Sequence, residues 1–171
     1  LIAMTPKNQT GPNYSDLARI VLERAKSARD AVTIVSNLIK KYGESTYGGN
    51  SHIFADSNEA WVMIQFAGGA GLWAAERLGP NSIRASRPGY IENIPIKEKH
   101  NPNFLYSDNL IQFCKKKRWY SSGPFNVNKI LGDKKGKWKG VKWIEKEIKK
   151  LAKRSEKIKL KDVIWAIRTP K

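Results

Sequence analysis

The sequence predicts an α+β fold in which a helical pair leads into an antiparallel β-meander covered on both faces. Three observations carry that prediction. Residues 15–42, "SDLARIVLERAKSARDAVTIVSNLIKKY", repeat apolar residues at helical spacing. Residues 48–78, "GGNSHIFADSNEAWVMIQFAGGAGLWAAERL", alternate short β-prone runs with turn residues. The middle run, "EAWVMIQFA", is apolar on both parities, with Trp61, Met63 and Ala67 on one and Val62, Ile64 and Phe66 on the other, so both of its faces require cover.

Within the helical segment, Leu17, Ile20 and Val21 mark a first helix, for which Ser15 is the expected N-cap. Ala31, Ile34, Val35, Leu38 and Ile39 mark a second. Ser27 followed three residues later by Asp30 resembles a capping box and starts it, Lys40 and Lys41 suit the negative end of its dipole, and Gly43 supplies the conformational freedom to end it. "SHIFAD" is the first strand, Asp56 to Asn58 supply a turn, "EAWVMIQFA" is the second strand, "GGAG" turns again and "LWAAERL" is the third. "NSIRASRPGYI" predicts a further short strand running into a Pro-Gly turn. An irregular "ENIPIKEKHNPNF" follows, then a short helix "SDNLIQFCKKK" with Ser107 as N-cap, then the turn-rich "RWYSSGPFNV". From Lys134 onward basic residues interleave with Trp138 and Trp143, and the chain closes on "KLKDVIWAIRTPK", apolar at Val163, Ile164, Trp165 and Ile167.

Composition bounds the rest. A 171-residue chain at 40% hydrophobic content can bury one ordinary core, and no apolar run approaches the roughly 18 residues of a membrane-spanning helix, so a soluble protein without membrane contact is expected. No secretory signal opens the chain, the single Cys114 favours neither redox compartment, and the cytoplasm is the default expectation. The abrupt entry at Leu1 suggests a fragment or a processed chain. The net charge of +17 is uneven: residues 1–96 hold ten basic against eight acidic residues, and residues 97–171 hold 22 against seven. Such a field can steer a polyanion, nucleic acid included, although Trp143, Ile144, Ile148 and Leu151 also describe one apolar helix face with lysines opposite.

Chemistry-bearing residues are few. His52 and His100 are isolated from each other and from Cys114, which predicts no metal site and no cofactor; His52 sits in a strand and reads as structural. Cys114 lies on the apolar side of its helix with Leu110, Ile111 and Phe113, the pattern of a packed thiol, whereas the basic run Lys115 to Arg118 would activate it only if it were exposed. No nucleophile elbow and no phosphate-binding glycine loop occurs.

The order of "LARIVLERAKSARDAVTIVSNLIKKYG", "SHIFADSNEAWVMIQFAGGAGLWAAERL", "RASRPGYI", "NPNFLYSDNLIQF", "RWY", "PFN" and "KLKDVIWAIR" resembles the cysteine dipeptidases of the dipeptidase A type, relatives of the secernins, over nearly the whole chain. "FADSNEAW" and "NPNFLYSDNLI" are the most specific stretches. The resemblance implies an N-terminal-nucleophile hydrolase: a partial αββα sandwich of antiparallel sheets with flanking helices. It forms one partial domain over 1–171, with the helical pair and meander in 1–96 and a basic, helix-rich part in 97–171. It implies a dipeptide substrate cleaved by an N-terminal cysteine thiolate, whose own α-amino group, with a pKa of about 7.7 to 8.0, serves as base, without a metal.

This chain departs from that scheme. It lacks the Cys-first strand and the Arg-containing segment after it, and Cys114 falls in the later helix. Where related sequences place an oxyanion-donating Asn, it offers Ser86 and Arg87, the candidates for a pocket role. Two explanations follow. The residues belong to a longer dipeptidase, which is the preferred reading, or to a homologue that has become a basic binding or structural protein. Either way the isolated chain should not cleave peptides, and self-association stays open.

Overall fold

A computed structural model describes residues 9–45, 48–84, 91–98, 101–132, 139–154 and 156–168. Two compact units emerge, residues 1–79 with 86–132 and residues 80–85 with 133–171.

The first unit opens on α1 (Tyr14–Arg24), capped by Asn13 rather than Ser15. The Asn13 carboxamide oxygen accepts from the amides of Ser15 and Asp16 at 2.8 and 3.1 Å, and the Asp16 carboxylate accepts in return from the Asn13 amide at 3.2 Å. This reciprocal box satisfies three backbone donors, which Ser15, already inside the first turn, could not do. Helix α2 (Ala28–Tyr42) begins at Ser27 as predicted, its hydroxyl accepting from the Asp30 amide at 3.1 Å. The reverse arm of that box is displaced by one residue, because Asp30 accepts from the Lys26 amide at 3.0 Å. At the other end Gly43 has φ +79°, outside the left-handed helical basin but still positive, and a Cβ there would lie 2.9 Å from the Thr10 carbonyl oxygen. Glycine is required at that close approach.

Three strands follow, β1 (Asn50–Ala55), β2 (Ala60–Phe66) and β3 (Leu72–Leu78), in the positions the sequence predicts. Past them, residues 81–84 are not a strand, and residues 85–90 of the predicted "NSIRASRPGYI" strand lie outside the described residues. β4 (Asn93–Ile94) arises instead in the stretch expected to be irregular, and β5 (Phe104–Tyr106) starts on its last residue. Helix α3 (Leu110–Lys116) is preceded by Asn109, not Ser107, and β6 (Phe125–Asn126) and α4 (Val127–Leu131) complete the unit. β1, β2, β3 and β5 form one antiparallel sheet in that order, and β4 pairs with β6 in a second, two-stranded one.

Register decides what each face of the larger sheet meets. Phe54 stands opposite Trp61, and His52 and Ala75 stand opposite Met63 on either side; Phe54, Trp61, Met63 and Ala75 pack with Leu17, Val21, Val32, Val35 and Ile39 from the two helices. On the other parity Ile64 faces Ala74 and Phe66 faces Leu72, and these four pack with Ile91, Ile94, Leu110, Cys114, Phe125, Val127 and Leu131. β2 is therefore buried from both sides, as its two apolar parities require. Each large side chain so enclosed contributes about 1.5 to 3 kcal/mol relative to exposure. The α+β class, with antiparallel sheets and flanking helices, is the predicted one.

The "FADSNEAW" stretch fastens helix to sheet. Asp56 in the β1–β2 turn accepts from the amides of Asn58 and Glu59 at 2.7 and 2.9 Å and, with its second oxygen, from the Ala28 amide in the first turn of α2 at 2.7 Å. Glu59 accepts from the Arg29 amide at 3.2 Å and from Arg77 Nε at 2.9 Å. Two carboxylates thus occupy the positive end of the α2 dipole, where orphan amides need acceptors.

The second unit contains α5 (Lys139–Ala152) and α6 (Leu160–Arg168). The Trp143 and Trp165 rings lie 6.2 Å apart, and Asp162 accepts from Arg154 Nη1 and from the Lys159 amide, each at 2.8 Å. Leu151 is buried and Trp143, Ile144 and Ile148 are half-buried, while Lys142, Lys146, Lys149, Lys150 and Lys153 are exposed, the amphipathic arrangement read from the sequence. α6 is different: Leu160, Val163, Ile164 and Trp165 are all exposed.

Candidate functional site

A thiolate is the group that peptide hydrolysis of the expected type needs first, and the chain has one cysteine. Cys114 lies in α3, is wholly buried, and packs in the cluster formed by Leu110, Phe125 and the outer face of β2 and β3. Burial pushes its thiol up to about 11, so near neutral pH it is protonated and enclosed. The basic run that follows it stays exposed. Here it is a packing residue.

His52 is also enclosed. In β1 it stacks on Phe54, with ring centroids 5.6 Å apart and 7° between planes, and its Nε2 lies 3.2 Å from Asn50 Nδ2. Burial lowers its pKa, and the neighbouring Gln65 amide opposes that shift in part. That approach falls short of hydrogen-bond geometry, which leaves both polar atoms of the buried Gln65 amide without a partner among the described residues. Ser86, Arg87, His100 and Trp138 lie outside the described residues. Among the described residues no group of three or more His, Cys, Asp or Glu side chains could hold a metal ion, and no helix is long and apolar enough to cross a membrane.

What the residue-by-residue reading missed is a cleft of about 740 Å³ in the first unit, at the end of the sheet where β2 turns into β3. One wall is the C-terminal half of α2, with Lys40. The glycine-rich turn 67–71 forms another, and the segment Ser107–Asn109 a third; Ile39, Phe66 and Trp73 supply apolar surface. The walls are tied together: the Ser107 amide donates to the Trp73 carbonyl at 3.0 Å, the Trp73 amide donates to Ser107 Oγ at 3.3 Å, and Asn109 Nδ2 donates to the Ala70 carbonyl at 2.9 Å. Ser107 is thus a cross-link to β3 instead of a helix cap. Lys40 Nζ meets Asp108 Oδ2 at 3.5 Å, joining two of the walls. The sequence signal was present in part, since Ser107 to Asn109 belong to the specific "NPNFLYSDNLI" stretch.

An α+β unit with an enclosed antiparallel sheet and a polar cleft at its end fits the resemblance read from the sequence, and comparison with known proteins bears that resemblance out. Residues 1–141 match the model of Peptidase family C69, and the chain belongs to that family. It is 32% identical over 112 residues to "Probable dipeptidase B" of Lactococcus lactis subsp. lactis (strain IL1403), covering 66% of this chain and 22% of that protein. It is 23% identical over 189 residues to "Probable dipeptidase" of Latilactobacillus sakei, covering 99% of this chain and 39% of that protein. The chain therefore spans less than half the length of either relative.

Proposed function

We propose that this chain forms the sheet-and-helix scaffold of a dipeptidase-type peptide hydrolase and does not itself carry the nucleophile. The observation that carries the reading is the family match over residues 1–141 together with a sole cysteine that is buried and protonated. In a cysteine-type mechanism the attacking thiolate must reach the scissile carbonyl, and Cys114 is wholly buried within an apolar cluster. The chain's own residues do other work: Asp56 and Glu59 lock the sheet to α2, and Ser107 and Asn109 fix the cleft. The test is a mass-spectrometric assay of dipeptide hydrolysis by the purified 171-residue chain beside its Cys114→Ser variant. No thiol-dependent turnover is expected, and turnover by the parent chain that disappears in the variant would overturn the proposal.

A second reading is favoured by one feature. Lys142, Lys146, Lys149, Lys150 and Lys153 recur at helical spacing along one exposed face of α5, in a segment, residues 139–168, with eleven basic and four acidic residues. On this reading the face contacts a polyanion such as single-stranded nucleic acid. Fluorescence anisotropy with a labelled oligonucleotide should then show affinity that falls steeply with salt and drops in a Lys146→Glu/Lys149→Glu/Lys150→Glu variant. Absence of binding at low salt removes this reading and leaves the first intact.

A further inference from the structure

The charges at the mouth of the cleft restrict what can occupy it. Lys40, Asp108 and the half-buried Glu44 are the charged residues that line it; Lys40 and Asp108 come from segments distant in sequence and meet across it at 3.5 Å, with side chains 79% and 94% exposed. A pair so exposed gains little from its own contact and exchanges readily for a ligand. A simple anion would take Lys40 and leave the Asp108 carboxylate beside a like charge, and a simple cation would do the reverse. A ligand with an ammonium and a carboxylate on one short backbone replaces one exposed pair with two.

The other walls suit a peptide. Gly68, Gly69 and Gly71 hold φ of +116°, +71° and +62° and carry no side chains of their own, so a ligand backbone can approach the turn closely. The half-buried Trp73 offers apolar surface to a ligand side chain. The hydrogen bonds from Ser107 and Asn109 hold the walls before a ligand arrives. Volume agrees as well, because sites for small ligands span roughly 300 to 1,000 Å³.

We propose that this cleft binds the zwitterionic backbone of a short peptide, with its terminal carboxylate on Lys40 and its terminal ammonium on Asp108. The proposal rests on the dipeptidase reading and deepens it by naming the site that holds the substrate's ends. It also gives a length rule. Each added residue separates the two charges by about 3.3 to 3.6 Å, and the flexible stem of Lys40 can swing clear of Asp108 to span a dipeptide but not a long chain.

Isothermal titration calorimetry of the 171-residue chain tests this with alanyl-alanine, N-acetyl-alanyl-alanine and alanyl-alaninamide as probes. The variants are Lys40→Met and Asp108→Asn, both at exposed positions, with circular dichroism confirming the fold. Lys40→Met should weaken alanyl-alanine about tenfold, the size of one charge-assisted hydrogen bond, and should not weaken the cationic alanyl-alaninamide, which loses a like charge beside Asp108. Asp108→Asn should do the same for alanyl-alanine and should not weaken the anionic acetylated peptide, which loses a like charge beside Lys40. Unaltered alanyl-alanine affinity in both variants overturns the cleft assignment while the dipeptide reading stands. No alanyl-alanine binding by the parent chain overturns the cleft assignment, while the scaffold reading is decided separately by the hydrolysis assay.

Discussion

Trp61 and Trp165 separate the two units of this molecule. Both sit in regular elements among apolar neighbours of the proper period, yet Trp61 is 0% exposed and Trp165 is 52% exposed. β2 has strands on both edges and apolar layers on both faces, so each side chain finds complementary surface. On α6, Leu160 is 74% exposed and Val163 and Ile164 join it at the surface. An apolar period selects a face; burial depends on how many other elements arrive to cover it. In the first unit the residues are organised around packing, and in the second around a lysine-rich exterior.

The sharpest way to break that contrast is to truncate each tryptophan. Trp61→Ala should cost about 3 to 5 kcal/mol in urea unfolding, because it opens a cavity under α1 and α2. Next in size is Cys114→Ser, which places a hydroxyl in an apolar cluster without an assured partner and should cost about 1 to 3 kcal/mol. A wild-type-like midpoint for either variant would show that the first unit is looser than its packing implies.

A pH experiment probes the helix-to-sheet clamp. The amides of Ala28, Asn58 and Glu59 hold the Asp56 carboxyl below the usual carboxylate range, with Arg77 adding a smaller attraction. A carboxylate lowered in the folded state contributes stability above its unfolded pKa of about 3.9, and that contribution is lost as pH falls through the lower folded value. Wild-type stability should therefore drop more steeply below about pH 4 than that of Asp56→Asn, which lacks the titrating group. Parallel acid limbs would remove Asp56 from the account. The smallest effect belongs to Trp165→Ala, expected at no more than about 1.5 kcal/mol from its contact with Trp143. A loss as large as that of Trp61→Ala would erase the distinction between the units.

The parts of this fold visible in the sequence are those set by local chemistry. α2 and β1 to β3 are legible because Ser27, Gly43, Asp56 and the glycine turn punctuate clear periods. β4, β5 and β6 are not, since strands of two or three residues exist only through distant partners, as when Tyr106 pairs with Ala74. The first N-cap is ambiguous in the sequence because both Asn13 and Ser15 can cap, and the reciprocal bond to Asp16 selects Asn13. Cys114 was readable as a packed thiol from its apolar neighbours. The cleft was not, because Lys40 and Asp108 carry no local sign of each other.

The central claim, an enclosed scaffold whose only thiol cannot act as nucleophile, is tested most directly by covalent labelling. The folded chain is incubated near pH 7.5 with a dipeptidyl chloromethyl ketone, and its intact mass is compared with that of a sample treated in urea. The account predicts no adduct on the folded chain and one adduct at Cys114 after unfolding. Stoichiometric labelling of Cys114 in the folded chain would contradict it.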